Sequence, residues 1–396
     1  GALPYAKGFG VRNDTSQPVD AHTQFCIASC SKAMTSAIIA MLVSQGKLSY
    51  DTPIRKYLPA FTLVDAKASE KVTLRDLLCH RSGLGGHDGI WPVKENLSQF
   101  TSRFKFLQPS APYGTKAQYS NIMYGLAGHV AEVVTGKDWN SLVHEYLFAP
   151  LSMSESSCQA AQLISASNHA DPYQVINGKL TALPVWNVDT VAPAASVNTT
   201  AQDMCSWLQF LINQGKTQDG RNLICEDVFQ QMITKQMDFQ DAISSGECYP
   251  SDGYAMGWQT GSYRGCEIIK HTGKIEGYSA IQVILPQHKL GVAICLNLHS
   301  PTISIMYTIL YSIIDKLLLL DPIPWQNIFH TETPPTAEDY DDCRENIFAQ
   351  RYPAAVPNQI RPQKDLQKYT GKYYADGYGY AEILIKENTL YLFYRD

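Results

Sequence analysis

The sequence predicts an α/β fold in which an antiparallel sheet flanked by helices is interrupted by an inserted, mostly helical region. Three observations carry this prediction. From Ser29 onward, Met34, Ala37, Ile38, Met41 and Leu42 recur at three- and four-residue steps, a helical period. Strand-like runs return only far downstream, at 253–259, 266–270, 280–285 and 291–297, and the last two flank Pro286-Gln-His-Lys289, which reads as a hairpin. Between about 76 and 184 the chain reads as helices and loops. Strands, helices, strands and a closing helix in that order argue for a sheet domain with a helical insertion.

Taken in order, 4–11 and the stretch to Phe25 read as short strands broken by the turn pair Asn13-Asp14. The helix that opens at Ser29 stops at Gly46, and Leu74, Leu77 and Leu78 mark another. A strongly periodic helix over 121–134 is closed by Gly136, and Thr200-Ala-Gln-Asp203 is a capping-box-like start for a helix over 204–213. In 303–320, Ser304, Thr308, Tyr311, Ser312 and Asp315 form one narrow polar stripe. The remaining apolar arc is wider than one sheet face covers, so part of it is expected to be exposed. Prolines 322, 324, 334, 335, 353, 357 and 362 mark residues 322–364 as a linker. Strand patterns at 372–374, 381–386 and 390–394 follow. The expected organisation is a discontinuous sheet domain of 1–75 and 185–321, a helical region of 76–184, the linker, and the start of a β domain at 365–396.

The chain has 396 residues, 45% hydrophobic and 17% charged, as in an ordinary globular protein. A formal charge of −5 gives no reason to expect nucleic acid or an anionic membrane as partner. No apolar run reaches the roughly 18 residues of a membrane span, since 303–320 contains Ser304, Asp315 and Lys316. Ten cysteines form no CxxC pair and no zinc spacing, so most read as small buried hydrophobes and no metal or cofactor is expected. The chain starts at Gly1 with no visible signal peptide, and reads as a soluble piece of a longer protein. Compartment and oligomeric state stay open.

Ser29-Cys-Ser-Lys32 opens the first strong helix. A spacing of three puts both side chains on one face, about 5–6 Å apart at Cβ, so the amine can bend back to the hydroxyl. A lysine held there can take the serine proton, and the N–H groups of the helix start can hold negative charge. Ser44/Lys47 and Ser102/Lys105 share the spacing, but Gly46 spoils the first and the second lacks an apolar face behind it. Cys26 and Cys30 raise a thiol alternative, yet neither has a sequence-evident histidine partner.

Two further motifs give the serine its context. Tyr119-Ser-Asn121 precedes a helix, and His271-Thr-Gly273, followed by Lys274, ends a strand pattern. With Thr23-Gln-Phe-Cys-Ile-Ala-Ser29, Leu77-Leu-Cys-His-Arg-Ser-Gly-Leu84 and Gly253-Tyr-Ala-Met-Gly-Trp258, their order and spacing resemble the serine β-lactamase and penicillin-binding-protein family, most closely its class C and esterase branch. The resemblance covers roughly residues 5–320, and 366–394 resemble the start of a β domain often appended to such proteins.

The resemblance implies a β-lactamase/transpeptidase-like fold and an acyl-serine mechanism on a small ester, amide or peptide, as hydrolase or acyltransferase. Ser29 would be the nucleophile, with Lys32 and Tyr119 sharing the proton transfers. The backbone N–H groups of Ser29 and Lys274 would form the oxyanion hole, while Asn121, His271, Thr272 and Gly273 would bind substrate. His271 stands where a lysine is more common, which favours esterase or peptidase substrates over carboxylate-bearing β-lactams. The alternative is an inactive member that keeps the fold for binding or assembly.

Overall fold

The computed structural model describes residues 4–91, 95–176, 178–239, 251–299, 303–329, 366–386 and 389–395. Its main sheet has six antiparallel strands, Leu290–Leu296, Tyr278–Leu285, Cys266–Ile275, Gln259–Tyr263, Gly253–Tyr254 and Met237–Asp238, each beside its neighbour in sequence. Successive side chains on a strand face opposite ways. Ile281, Val283 and Leu285 therefore join Ile268 and Tyr263 against Met306, Leu310 and Ile314 of the helix Ile303–Leu317. Their alternates Ala280 and Ile284, with Ile269, face the larger core on the other side.

That larger core holds the helix Ser31–Ser44, whose Ala33, Ala37, Ile38, Ile39 and Ala40 are all 0% exposed. Being apolar nearly all round, this helix has no solvent face. It packs against helices Asn121–Thr135, Ala192–Ala195 and Glu226–Ile233, so it joins the sheet domain to the helical region. The helical region is nucleated locally: Thr73 and Asp76 form a reciprocal capping box at Leu74–Leu78, and Asn96 with Gln99 forms another at Leu97–Ser102. Gly136 caps Asn121–Thr135 as read from sequence, and the Thr200 hydroxyl accepts the Asp203 N–H at the start of Ala201–Ile212.

Several expectations are corrected. The stretch before Phe25 is not strand: Val11 makes one bridge to Pro18, while Tyr5 and Phe9 are 74% and 72% exposed. A strand needs a partner edge, and the one true strand here, Phe25–Cys26, pairs with Asn198–Thr199 instead of joining the six-stranded sheet. The region 76–184 also contains a hairpin, Tyr173–Ile176 with Lys179–Ala182, extended by Leu298–His299. Asn177-Gly178 between its strands was the readable signal. On Ile303–Leu317 the supposed polar stripe points inward at two positions. Tyr311 is fully buried, and Asp315 accepts hydrogen bonds from Tyr263 at 2.7 Å and Trp325 Nε1 at 2.8 Å and pairs with Arg264 at 3.0 Å. Ile305 and Ile309 are each 40% exposed, as the width of the apolar arc required.

Most of the 322–364 linker lies outside the described residues. Its start is ordered against the sheet domain through the helix Trp325–Phe329, with Trp325 buried. Gly371–Ala375, Gly379–Lys386 and Thr389–Arg395 form a three-stranded antiparallel sheet, as the sequence pattern predicted. Among the described residues no helix is long and apolar enough to cross a membrane.

Candidate active site

Ser29 lies in the short 3-10 turn Ala28–Cys30, which runs directly into the helix Ser31–Ser44. The turn is stitched to the sheet by buried groups. Gln282 Nε2 donates to the Cys30 carbonyl at 2.7 Å, and Gln282 Oε1 accepts from Trp207 Nε1 at 2.7 Å. The Cys30 thiol donates to the His271 carbonyl at 3.2 Å. Burial pushes the Cys30 thiol well above its ordinary pKa and Cys26 up to about 11, so neither is a thiolate nucleophile.

Ser29 itself is half-buried, whereas Lys32 is 0% exposed. The Lys32 ammonium donates to Ser29 Oγ at 2.9 Å, Asn121 Oδ1 at 2.7 Å and the Ala194 carbonyl at 3.0 Å. An ammonium has three donors, and these three acceptors account for them. The Tyr119 ring centroid lies 4.8 Å from the same nitrogen, and that of Tyr124 5.4 Å. The structure thus brings together Ser29, Lys32, Tyr119 and Asn121 from two separate stretches of chain.

The strand Cys266–Ile275 crosses the nucleophile turn at Gly273. A Cβ at that position would stand 2.0 Å from the Ile27 carbonyl oxygen and 3.2 Å from the Cys30 nitrogen, so only glycine allows the approach. Lys274, one residue on, pairs with Ser279 and has an exposed side chain. Thr272, one residue back, is half-buried. His271 is carried to the same place but does not open onto solvent. It is 1% exposed, its Nδ1 donates to the Thr272 carbonyl at 2.7 Å, and its Nε2 accepts from the Tyr254 hydroxyl at 2.8 Å. Burial, reinforced by the charge of Lys32, pushes its pKa down to about 3, so the imidazole is neutral.

The residue types quoted from sequence omitted four groups that the site uses. Asp88 Oδ1 accepts from Asn121 Nδ2 at 3.0 Å and from Trp91 Nε1 at 3.1 Å, holding the amide so that its oxygen faces Lys32. The Ala194 carbonyl comes from a separate helix. Tyr254 and His80 line the inner wall, and they belong to the Gly253–Trp258 and Leu77–Leu84 segments that carry the family resemblance. No spacing rule pointed to Asp88, since its partner is 33 residues away. The loop that carries Asp88 also meets the C-terminal sheet: the Tyr378 hydroxyl donates to His87 Nδ1 at 2.6 Å, while His87 Nε2 donates to the Gln108 carbonyl at 3.0 Å. Among the described residues no group of three or more His, Cys, Asp or Glu side chains is arranged to hold a metal ion.

Comparison with known proteins bears on the family and the fold. A family model described as Beta-lactamase matches residues 1–304. An unguisins hydrolase of Aspergillus violaceofuscus is 25% identical over 414 residues, covering 96% of this chain and 71% of that protein. The octameric penicillin-binding protein homologue from Pyrococcus abyssi superposes with a TM-score of 0.69 at 22% identity, over 98% of this chain and 80% of that one. The penicillin-binding protein from Bacillus halodurans superposes at 0.62 with 25% identity, over 78% and 90%. The six-stranded sheet with its helical region is thus the β-lactamase/transpeptidase-like α/β fold, and the chain belongs to the Beta-lactamase family.

Proposed function

We propose that this chain hydrolyses or transfers acyl groups through an acyl-Ser29 intermediate formed from a small ester, amide or peptide. One observation supports the reading above others: the three hydrogen bonds of the buried Lys32. A neutral amine has two donors and one lone pair. With Asn121 Oδ1 and the Ala194 carbonyl keeping the two N–H groups, the lone pair is left for the Ser29 hydroxyl. Lys32 can then accept the Ser29 proton as Oγ attacks a carbonyl carbon. The Tyr119 hydroxyl, whose ring packs on the same ammonium, can relay that proton to the leaving group. The backbone N–H groups of Ser29 and Lys274 would receive the developing oxyanion, a contribution of about 3–4 kcal/mol for each such donor. Hydrolysis of the ester by water in the reverse sense frees Ser29.

Asn121 would orient the substrate carbonyl side, and Thr272 with Gly273 would line the strand side of the cleft. His271 is buried and neutral, so the ammonium that a lysine would supply there is missing. Substrates without a carboxylate are favoured accordingly. The relative named as an unguisins hydrolase is in keeping with hydrolysis as the outcome.

The test is intact mass after incubation with a fluorophosphonate and with a panel of esters and β-lactams. One covalent adduct is expected, lost in Ser29→Ala and kept in Ser31→Ala. The Ser31 hydroxyl is already engaged, donating to the Ala28 carbonyl at 2.7 Å and accepting from the Val197 N–H at 3.1 Å. Labelling on Ser31 or Cys30 would end the proposal. An unlabelled, folded protein would leave a family member that binds without turning over.

A further inference from the structure

Tyr119 belongs to a stretch, 117–120, that has no regular secondary structure to hold it. His80 supplies what a helix or ladder would. Its carbonyl accepts the Gln118 N–H at 2.7 Å, and its ring Nδ1 accepts the Ser120 N–H at 3.1 Å. The two bonds bracket Tyr119. Between them the imidazole packs on the Tyr119 ring, with centroids 4.5 Å apart. His80 is 0% exposed, and its backbone is left-handed at φ +62°, which L side chains rarely adopt. Strain of this kind persists only where the surroundings enforce it, and it gathers at working sites.

We propose that His80 is the positioning residue that holds Tyr119 against Lys32, a role that rests on the acyl-serine reading above. The Ser120 N–H can only donate, so Nδ1 carries no proton and the neutral ring bears it on Nε2. Nε2 is buried with no hydrogen-bond partner among the described residues, enclosed by the rings of Tyr119, Tyr124 and Tyr254. A second proton would set two N–H groups against each other at Ser120 and release the segment. Burial first, then the charge of Lys32, keeps the ring neutral by lowering its pKa well below the ordinary value. The Ser120 hydroxyl adds one further tether, donating to the Gly85 carbonyl at 3.0 Å, but it does not bracket Tyr119 as the two His80 bonds do.

The test compares His80→Phe with His80→Asn in the full chain. Phenylalanine keeps a ring but has no acceptor. Asparagine offers Oδ1 to the Ser120 N–H and tolerates the left-handed backbone. Ester turnover in His80→Phe should fall roughly 10- to 100-fold in kcat with KM within about two-fold, the penalty of a misplaced group about 1 Å off. The pH profile of acylation should change with it, and His80→Asn should recover most of the loss. Hydrogen exchange at the Ser120 amide gives a readout free of activity: slow in the natural protein and His80→Asn, fast in His80→Phe. Equal exchange in all three, or equal turnover and pH profile in folded His80→Phe, would overturn the proposal. Failure of the natural protein to label at Ser29 would instead overturn the acyl-serine reading, and the exchange result would still decide the clamp.

Discussion

Gly273→Ala is a perturbation whose size can be worked from the structure. The added Cβ would meet the Ile27 carbonyl oxygen at 2.0 Å, against 3.4 Å for ordinary contact, so about 1.4 Å must open between strand and nucleophile turn. The obstacle is backbone on both sides, with no flexible side chain to swing away. Overpacking of this kind costs about 1–3 kcal/mol of stability. The larger effect is on chemistry, because the displaced atoms carry the Ser29 nucleophile and the proposed Lys274 donor. A misplacement of about 1 Å is worth roughly 10²-fold in rate, so acylation by a fluorophosphonate and ester kcat should both drop by about that factor. Gly291→Ala is the control. It lies in the strand Leu290–Leu296, where its Cβ would meet Leu208 side-chain atoms at 3.1 Å, and it should lose stability without losing rate. Thermal melts establish that both variants are folded at the assay temperature. A folded Gly273→Ala that acylates within about three-fold of the natural rate would refute the reasoning, since the strand would then not form the oxyanion wall.

Three further outcomes are expected. Tyr119→Phe should lower turnover by about 10²–10⁴, the range for a general acid–base group, with little change in melting temperature; steady-state kinetics of the folded variant checks it. Acid should destabilise the protein through His271: its folded pKa of about 3 lies below the unfolded value near 6.5, so the unfolded chain binds the proton first and stability falls as pH drops from about 6.5 toward 3. At pH 5 the loss from this histidine is about 2 kcal/mol, with His80 adding in the same direction, measurable by urea unfolding at pH 7.5 and pH 5. Tyr378→Phe removes the donor to His87 Nδ1 and should cost about 1 kcal/mol while raising hydrogen exchange in the loop that carries Asp88. Unchanged exchange there would mean that the C-terminal sheet does not brace the loop.

Much of the fold and part of the site were legible in local patterns of the chain. The three-residue step from Ser29 to Lys32 put hydroxyl and amine on one helical face, and the order of the three motifs named the family and its fold. Period-two and period-3.6 patterns located the antiparallel strands and the long helices, because those periods are local properties of a backbone that buries one face. The remainder depends on contacts between segments far apart in the chain. Lys32 is bound by Asn121 and Ala194, 89 and 162 residues away, and no local rule reports which distant acceptors a buried ammonium will find. His271, which read as a cleft residue, is enclosed because Tyr254 of a neighbouring segment caps its Nε2. Tyr311 and Asp315 read as part of a polar stripe, but the buried Tyr263 and Trp325, with the Arg264 guanidinium, engage the Asp315 carboxylate, and a paired carboxylate can be buried where a lone one cannot. The residues before Phe25 read as short strands around a turn pair yet find no sheet edge. Periodicity shows which face of an element is apolar; what covers that face, and which polar groups are carried inside with it, is set by packing between elements far apart in the chain.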